Sequence, residues 1–331
     1  MKSKLSFLLM QILRRTLIRF GITTLRNNSY YEVLNQRNKA LLELILIEDQ
    51  KLKKGLAGIV FSKDRPLQLY TLLETYNNLV KNPVNLVIIY KSSTNEYSQG
   101  YKKVFNLYKN SKSKFTFIKE SSSFKNTLDN VFESLNIKNI FFLVDDIIFI
   151  RKIDLSLAAS LDTSKFILSL RHSPHLRRSY TSNMEQMPPK FHPSKFNNTI
   201  NEFSWFEEKN EWSNPYSVDG HILSLAEICA ISRVSSYSGP NTFEYAISSF
   251  NSLSENKRGL CYSESKILNL PINRVQNESN NASGSVSTSF LLKKWQQDMA
   301  IDTSFFSGYI PEATHEEHII NFKKIKSALI K

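Results

Sequence analysis

Four short apolar runs, each separated from the next by a helical pattern, constrain the fold more than any other feature of the sequence. The runs cover residues 56–61, 84–90, 115–118 and 140–144. Apolar residues recur at helical spacing over residues 67–76, 96–108 and 124–135. Continuous apolar strands that alternate with helices are typical of a parallel sheet covered on both faces. The sequence therefore predicts an α/β fold, with a mostly parallel sheet flanked by helices.

The first 54 residues are predicted to form a helical arm, separate from the α/β region. Between positions 5 and 20, apolar residues share a broad helical arc, and Lys4, Gln11 and Arg14 lie opposite it. A basic amphipathic helix of this kind can lie on an acidic membrane surface. It can equally pack on the protein itself or on a partner. The apolar stretch 5–13 is too short for a membrane span, which needs about 20 residues.

The charge balance favours anionic partners. The chain of 331 residues has 43 Lys or Arg against 30 Asp or Glu, and its formal net charge is +13. Such an excess suits nucleic acid, acidic lipid or phosphorylated substrates. Two cysteines, Cys229 and Cys261, cannot form a disulfide framework in so long a chain and indicate a reducing compartment. The expected location is the cytoplasm, or the inner face of the cell membrane if the arm binds it.

The remaining residues divide into two halves. Residues 55–150 hold the regular alternation, and residues 151–331 form a second half with a C-terminal tail and a looser pattern. In that half we predict strands over residues 166–170 and 266–274. Helices are predicted over residues 222–234, 242–250 and 288–299.

Polar loops follow three of the predicted strands. In a doubly wound sheet, ligands bind beyond the carboxyl ends of the strands, where the strand order reverses. The candidate nucleotide-binding residues in these loops are Ser62, Asp64, Arg65, Ser92 and Asp145. Hydroxyls, a guanidinium, a carboxylate and the amides of helix N-termini together suit a nucleotide.

The pair Asp145–Asp146 is the most informative feature of the site. The two carboxylates lie between apolar segments, where an unpaired buried charge is costly. Hard divalent ions such as Mg²⁺ or Mn²⁺ bind carboxylate oxygens together with substrate phosphates. The alternative is a structural pair that caps a helix or binds Arg151 or Lys152.

Residues 59–69 and 141–146 together resemble the nucleotide-sugar half of GT-A-fold glycosyltransferases. The resemblance is nearest to the bacterial family-2-like enzymes that build surface polysaccharides, and it covers roughly residues 56–320. In that family an Asp-x-Asp motif holds a divalent cation on the donor diphosphate. Here Ile147 occupies its third position, so the motif aligns as an x-Asp-Asp variant. The resemblance then implies that Asp146 binds the metal and that Asp145 contacts the ribose or supports the site.

The same resemblance implies an acceptor site in the second half. It makes Asp219 a candidate general base for an acceptor hydroxyl, with Glu244 as its rival, although either carboxylate could merely complement a helix dipole. His315 resembles the C-terminal histidine that many of these enzymes place on the metal, and an exposed helix start is the alternative. Trp205, Trp212 and Tyr216 either line a sugar site or pack in the core.

The first hypothesis is therefore a metal-assisted transferase that moves a sugar from a nucleoside diphosphate donor to a glycan or lipid-linked acceptor. A nucleotidyltransferase could use the same acidic pair and Mg²⁺. A non-catalytic basic module that binds a membrane or nucleic acid is the third possibility. No nucleic acid is expected as a partner, because the sequence holds no recognised DNA- or RNA-binding motif.

Overall fold

The chain folds around a mixed sheet whose central strands come from both predicted halves. The computed structural model describes residues 27–111, 113–275 and 283–325. Two compact units are present, residues 1–47 and residues 48–331, and the sheet belongs to the second. The amphipathic helix predicted over positions 5–20 lies outside the described residues. None of the described helices is both long enough and apolar enough to cross a membrane.

The described helices number eight. They are α1 (Asn27–Asp49), α2 (Pro66–Leu79), α3 (Asn95–Tyr108), α4 (Phe124–Ser134), α5 (Ser156–Ser160), α6 (Leu225–Arg233), α7 (Pro240–Ser248) and α8 (Thr288–Gln296). Three short 3₁₀ helices cover Glu211–Ser213, Asn251–Ser254 and Ser304–Phe306.

The strands of the first half are β1 (Lys53–Lys63), β2 (Val80–Lys81), β3 (Leu86–Lys91), β4 (Phe115–Lys119), β5 (Ile137–Val144), β6 (Ile147–Phe149) and β7 (Ile153–Asp154). Those that follow are β8 (Phe166–Ser169), β9 (Arg178–Ser179), β10 (Met184–Glu185), β11 (His192–Pro193), β12 (Ile200–Ser204), β13 (His221–Ser224), β14 (Arg258–Tyr262), β15 (Ile267–Asn269), β16 (Met299–Ile301) and β17 (Phe322–Lys324).

The order of the nine strands in the main sheet is β11-β12-β14-β8-β13-β5-β1-β3-β4. Strands β5, β1, β3 and β4 are mutually parallel. The chain runs outward from β1 through β3 to β4 and then returns to the other side of β1 as β5. The strand order therefore reverses between β1 and β5, which is where a crevice opens in sheets of this kind.

The predicted α/β class is confirmed. Each of the four apolar runs overlaps a strand of the sheet, and each of the three helical patterns overlaps α2, α3 or α4, with bounds that differ by a few residues. Pro66 begins α2, where its missing N–H costs no hydrogen bond. The side chains of Thr94 and Ser123 accept hydrogen bonds from backbone amides at the starts of α3 and α4.

Three details of the sequence expectation are wrong. Lys53 and Lys54 belong to β1, so the helical arm ends before residue 54. The predicted helix over residues 222–234 is strand β13 followed by α6, because Ser224 caps the helix and leaves the preceding apolar residues extended. The predicted strand over residues 266–274 is strand only over Ile267–Asn269, since Pro271 cannot continue a backbone ladder.

Gly58 lies in the middle of β1, opposite Leu86 on one side and Phe141 on the other. A Cβ atom at this position would come within 2.3 Å of Leu86 Cδ2 and 2.7 Å of Phe141 Cζ. Any larger residue would therefore clash here, and the side chains of Leu86 and Phe141 pack against the glycine backbone.

We predict that Gly58→Ala lowers the free energy of unfolding by about 1–3 kcal/mol, the usual cost of overpacking a core. Urea denaturation of the full chain measures this change. Lys54→Ala, on an exposed position of the same strand, should change the free energy by no more than about 0.5 kcal/mol. Equal effects of the two substitutions would contradict the packing argument.

Candidate functional site

A cavity of about 490 Å³ lies at the carboxyl ends of β1 and β5, where the strand order reverses. Seven of the nine candidate residues line it: Ser62, Arg65, Asp145, Asp146, Asp219, Glu244 and His315. These positions span more than 250 residues of sequence. The fold thus brings the candidate donor and acceptor residues to one place.

Asp64 and Ser92 are absent from the described lining of the cavity. Asp64 adopts a left-handed backbone conformation, with φ of 55°. Its carboxylate accepts a hydrogen bond of 2.7 Å from the amide of Ser93, and its amide donates to the carbonyl of Lys91. Asp64 therefore joins the loop after β1 to the loop after β3. The predicted nucleotide contacts of Asp64 and Ser92 stay predictions.

Asp145 is buried and holds the ends of the two central strands together. Its Oδ2 accepts hydrogen bonds from the Ser62 hydroxyl at 2.8 Å and the Lys63 amide at 3.3 Å. Its Oδ1 accepts from Arg65 Nη1 at 2.8 Å. Ser62 also contacts the hydroxyl of Tyr101 at 2.7 Å. Every one of these partners supports a charged carboxylate, so Asp145 serves mainly to fix the loop after β1.

Arg65 is held from two sides. Its Nε donates to Asn273 Oδ1 at 2.8 Å, and its Nη2 donates to the Asn273 carbonyl. The guanidinium is 2.8 Å from Asp145 and 3.5 Å from Asp146. A bound phosphate would have to share a guanidinium that already has three protein partners. Asn273 was not found from the sequence, since a single asparagine in an apolar segment gives no signal.

Asp146 is the less satisfied member of the acidic pair. Its Oδ2 lies 3.5 Å from Arg65, while its Oδ1 is buried without a hydrogen-bond partner among the described residues. The pKa of Asp146 is raised to about 6. Burial is the largest cause, the charge of Arg65 opposes it, and the negative charges of Asp145 and Asp219 add to it. The carboxylate therefore has an oxygen available for a ligand.

Asp219 is a buried carboxylate opposite the acidic pair. It lies two residues before β13, which runs antiparallel to β5, and Gly220 between them turns the chain with φ of 76°. Arg171 Nη1 lies 2.8 Å from its Oδ2, and His315 Nε2 lies 3.5 Å from the same oxygen. Burial alone would raise the pKa of Asp219, but the hydrogen bond to His315 and the charge of Arg171 lower it to about 2.

Glu244, the other candidate base, lies in α7 and already has hydrogen-bond partners. Its Oε1 accepts hydrogen bonds from the Ser217 hydroxyl at 2.7 Å and the Val218 amide at 3.1 Å. Burial and the nearby charge of Asp219 raise the pKa of Glu244. These bonds fix the segment that leads into Asp219, and the predicted role of Glu244 as a base stays a prediction.

His315 enters the cavity on a segment that is tied to β15. Asn269 donates its amide to the Thr314 carbonyl at 3.2 Å and accepts from the Glu316 amide at 3.1 Å. The ring of His315 stacks on Tyr180, with centroids 6.0 Å apart. The histidine is therefore held beside Asp219 by backbone pairing.

Trp205, Trp212 and Tyr216 are fully buried and lie outside the described lining of the cavity. The two indoles pack around His172 and His221, with ring centroids 4.5–5.8 Å apart. Of the two alternatives for these aromatics, the structure therefore shows core packing.

The described residues offer few protein ligands for a divalent cation. No group of three or more His, Cys, Asp or Glu side chains that could hold a metal occurs in the described parts of the chain. The Asp146 oxygen without a partner is the one feature of the acidic pair that favours a cation. Magnesium is commonly bound by one or two carboxylates together with substrate phosphates and water. The residues therefore fit a cation that arrives with a diphosphate.

No protein-family model matches the sequence, and no curated protein matches it. Among solved structures, the chain is similar to S. aureus TarS 1-349, with 14% identity and a TM-score of 0.40 over 64% of this chain and 59% of that one. The same TarS fragment with UDP-GlcNAc gives a TM-score of 0.42, again at 14% identity, over 70% and 62%. The matched part thus spans less than two thirds of these TarS chains.

A UDP-glucose pyrophosphorylase complexed with UDP-glucose is also similar, with 12% identity and a TM-score of 0.33 over 64% of this chain and 92% of that one. A 4-diphosphocytidyl-2C-methyl-D-erythritol synthase from Anaerococcus prevotii gives 9% identity and a TM-score of 0.37 over 73% and 96%. These values describe a partial likeness of fold.

The two cavity aspartates should respond to pH in opposite ways. The raised pKa of Asp146 means that the folded state loses stability as the pH rises from about 4 through 6. Asp146→Asn removes this loss, and we expect it to be more stable than wild type by about 3 kcal/mol at pH 8 and unchanged at pH 4. The lowered pKa of Asp219 gives stability above pH 4 that is lost towards pH 2.

Asp219→Asn should therefore be less stable than wild type at neutral pH, also because Arg171 is left buried without its partner. Urea denaturation between pH 4 and 8, with EDTA present, measures both variants. Changes of the same sign at pH 8 would contradict the assignment of opposite environments.

Proposed function

We propose that the protein transfers a glycosyl group from a nucleoside diphosphate sugar to an acceptor hydroxyl. The observation that carries this proposal is the convergence of seven candidate residues, from Ser62 to His315, on one cavity at the reversal of strand order. Carboxylates, arginines and a histidine in one cleft supply both the groups that bind a diphosphate and those that orient a hydroxyl.

The donor is proposed to lie along the ends of β1 and β3. Lys63, Lys91 and Arg274 line this side of the cavity, where Glu120 pairs with Lys91 at 2.5 Å, so the side carries a positive excess. A nucleoside diphosphate is anionic and would be attracted to this side. Ser62 and Asp145 fix the loop on which its ribose and phosphates would rest.

Asp146 is proposed to hold a divalent cation, Mn²⁺ or Mg²⁺, together with the diphosphate. When bound, the cation would stabilise the charge on the departing diphosphate as a Lewis acid. Arg65 fixes the position of the acidic pair through the contact with Asp145. His315, the second predicted metal ligand, has its Nε2 3.5 Å from Asp219 Oδ2.

Asp219 is proposed to bind and orient the acceptor hydroxyl. Its low pKa keeps the carboxylate charged at every working pH, so it accepts a hydrogen bond well but holds a proton weakly. The acceptor oxygen would form a bond to the anomeric carbon as the bond to the diphosphate oxygen breaks. The hydroxyl proton would pass to Asp219 late in the step and from there to solvent.

We predict that a nucleotide sugar stabilises the full chain and that Asp146→Asn removes most of this effect. At about 100 times its Kd, a ligand adds about 2.7 kcal/mol of stability, which thermal denaturation with Mn²⁺ detects as a shift of several degrees. The panel contains UDP, GDP, CDP and dTDP and their glucose, galactose and N-acetylglucosamine conjugates. Glu133→Gln, an exposed change of the same kind in α4, should shift with ligand like wild type.

The products distinguish the rival enzyme class. Slow hydrolysis or transfer should release a nucleoside diphosphate, measured by chromatography, and Asp146→Asn should release at least tenfold less. Release of pyrophosphate from a nucleoside triphosphate and a sugar phosphate would instead show a nucleotidyltransferase. Salt-sensitive binding to polynucleotide, with no shift in the panel, would favour the non-catalytic basic module.

The acceptor is proposed to be a glycan or lipid-linked molecule at an acidic membrane surface, to which residues 1–47 attach the enzyme. This segment carries eight Lys or Arg against two Glu. Basic residues near an anionic surface contribute about 1 kcal/mol each. The location at the inner face of the cell membrane is part of the same proposal.

We expect the full chain to sediment with vesicles that contain 30% anionic lipid, and a chain without residues 1–47 to stay in the supernatant. This deletion stops before β1, so the unit formed by residues 48–331 is kept whole. Vesicles of neutral lipid are the control. Equal sedimentation of the two chains would remove the membrane from the proposal and leave the transferase untouched.

A further inference from the structure

Besides Asp146, two residues that line the cavity keep a polar atom without a hydrogen-bond partner among the described residues. They are Asn269, through its Oδ1, and Arg171, through its Nε. Asn269 is 2% exposed and Arg171 is 6% exposed. A buried polar group that is left unpaired is destabilising, so such groups normally have a partner. Neither residue was assigned a role in binding above.

Both residues flank Asp219 and cannot move away from it easily. Arg171 donates through Nη1 to the Asp219 carboxylate at 2.8 Å, and the Asn269 side chain hydrogen bonds to the same group. The backbone of Asn269 is fixed by Thr314 and Glu316, and it pairs with β6 directly after the acidic pair. The two residues that carry the unpartnered atoms are thus held beside Asp219 in the lining of the cavity.

The chemistry of these two atoms restricts the ligand. Asn269 Oδ1 is an acceptor, whereas Arg171 Nε is a donor. A phosphate group accepts only, and a metal cation would satisfy only the acceptor. A hydroxyl group both donates and accepts, so a ligand that carries several hydroxyls can satisfy both atoms.

We propose that Asn269 and Arg171 form a subsite for the hydroxyls of the transferred glycosyl group, with Asn269 as the residue that accepts from one of them. This inference rests on the proposed function. In this proposal Asn269 contacts the sugar, and the diphosphate binds on the other side of the cavity. Asn269 is the better residue to test, because Arg171 also neutralises Asp219.

The experiment is calorimetric titration of the full chain with the diphosphates and conjugates of the panel described above, in the presence of Mg²⁺. The sugar contribution is the Kd of the diphosphate divided by the Kd of its conjugate. Loss of one hydrogen bond should lower this ratio about five- to tenfold in Asn269→Ala. The Kd of the diphosphate alone should stay within twofold of wild type. Asn269→Gln, which keeps both the acceptor oxygen and an amide that can donate to Asp219, should retain more of the ratio than the alanine variant.

Asn251→Ala is the matched control. Asn251 also has a buried Oδ1 without a described partner, but it lies outside the described lining of the cavity. This variant should keep the wild-type ratio. If Asn269→Ala does not fold, Asn269→Ser takes its place.

An unchanged ratio in the Asn269 variants, or an equal loss for diphosphate and conjugate, would overturn the subsite while nucleotide binding stands. A wild-type chain that binds the diphosphates but gains nothing from any sugar would overturn it as well. A wild-type chain that binds neither class of ligand would overturn the proposed function itself, and the subsite with it.

Discussion

The contact between Arg65 and Asp145 joins two adjacent parallel strands at the place where the chain changes direction across the sheet. Arg65 follows β1, Asp145 follows β5, and the guanidinium also reaches Asn273 in the second half of the chain. Breaking a buried pair of this kind leaves an unpaired charge, which typically costs 3–5 kcal/mol. The shape of the cavity therefore depends on an interaction that is itself hardly accessible to a ligand.

This arrangement separates the tasks of two neighbouring carboxylates. Asp145 has donors on both oxygens, whereas Asp146 retains an oxygen without a described partner. Across the cavity, Asp219 lies beside a guanidinium and an imidazole, which stabilise its charge. Burial raises the pKa of Asp145 and of Asp146 alike. The two adjacent residues can still have different chemical tasks, because their hydrogen-bond partners differ.

The sequence predicts the first half of the fold well because its signals are local. Apolar runs, Pro66 and the capping residues Thr94 and Ser123 each act within a few residues. The second half is harder, since β13 and β14 are stabilised by pairing with distant strands. Residues 222–231 carry apolar side chains that suit either a strand or a helix. The first of them form a strand because they pair with β5 and β8.

The candidate site follows the same division. Ser62, Arg65 and the acidic pair could be found because strand-end loops have a known place in the fold. Asn269 and Asn273 could not, since an isolated asparagine has no pattern. Arg171 and Asp219 are 48 residues apart, and their pairing depends on the meeting of β8 with β13. Interactions between distant residues are set by the packed fold and leave no trace in local sequence.

The segment that carries His315 has a consequence for how the protein is made. Backbone pairing with Asn269 adds this segment to the site, and His315 is the last residue in chain order of the cavity lining that the structure describes. During synthesis the sheet can form from earlier residues while the cleft still lacks one wall. A nascent chain therefore cannot engage a substrate at the complete site until translation has passed residue 315, long after the strands beneath it have emerged from the ribosome.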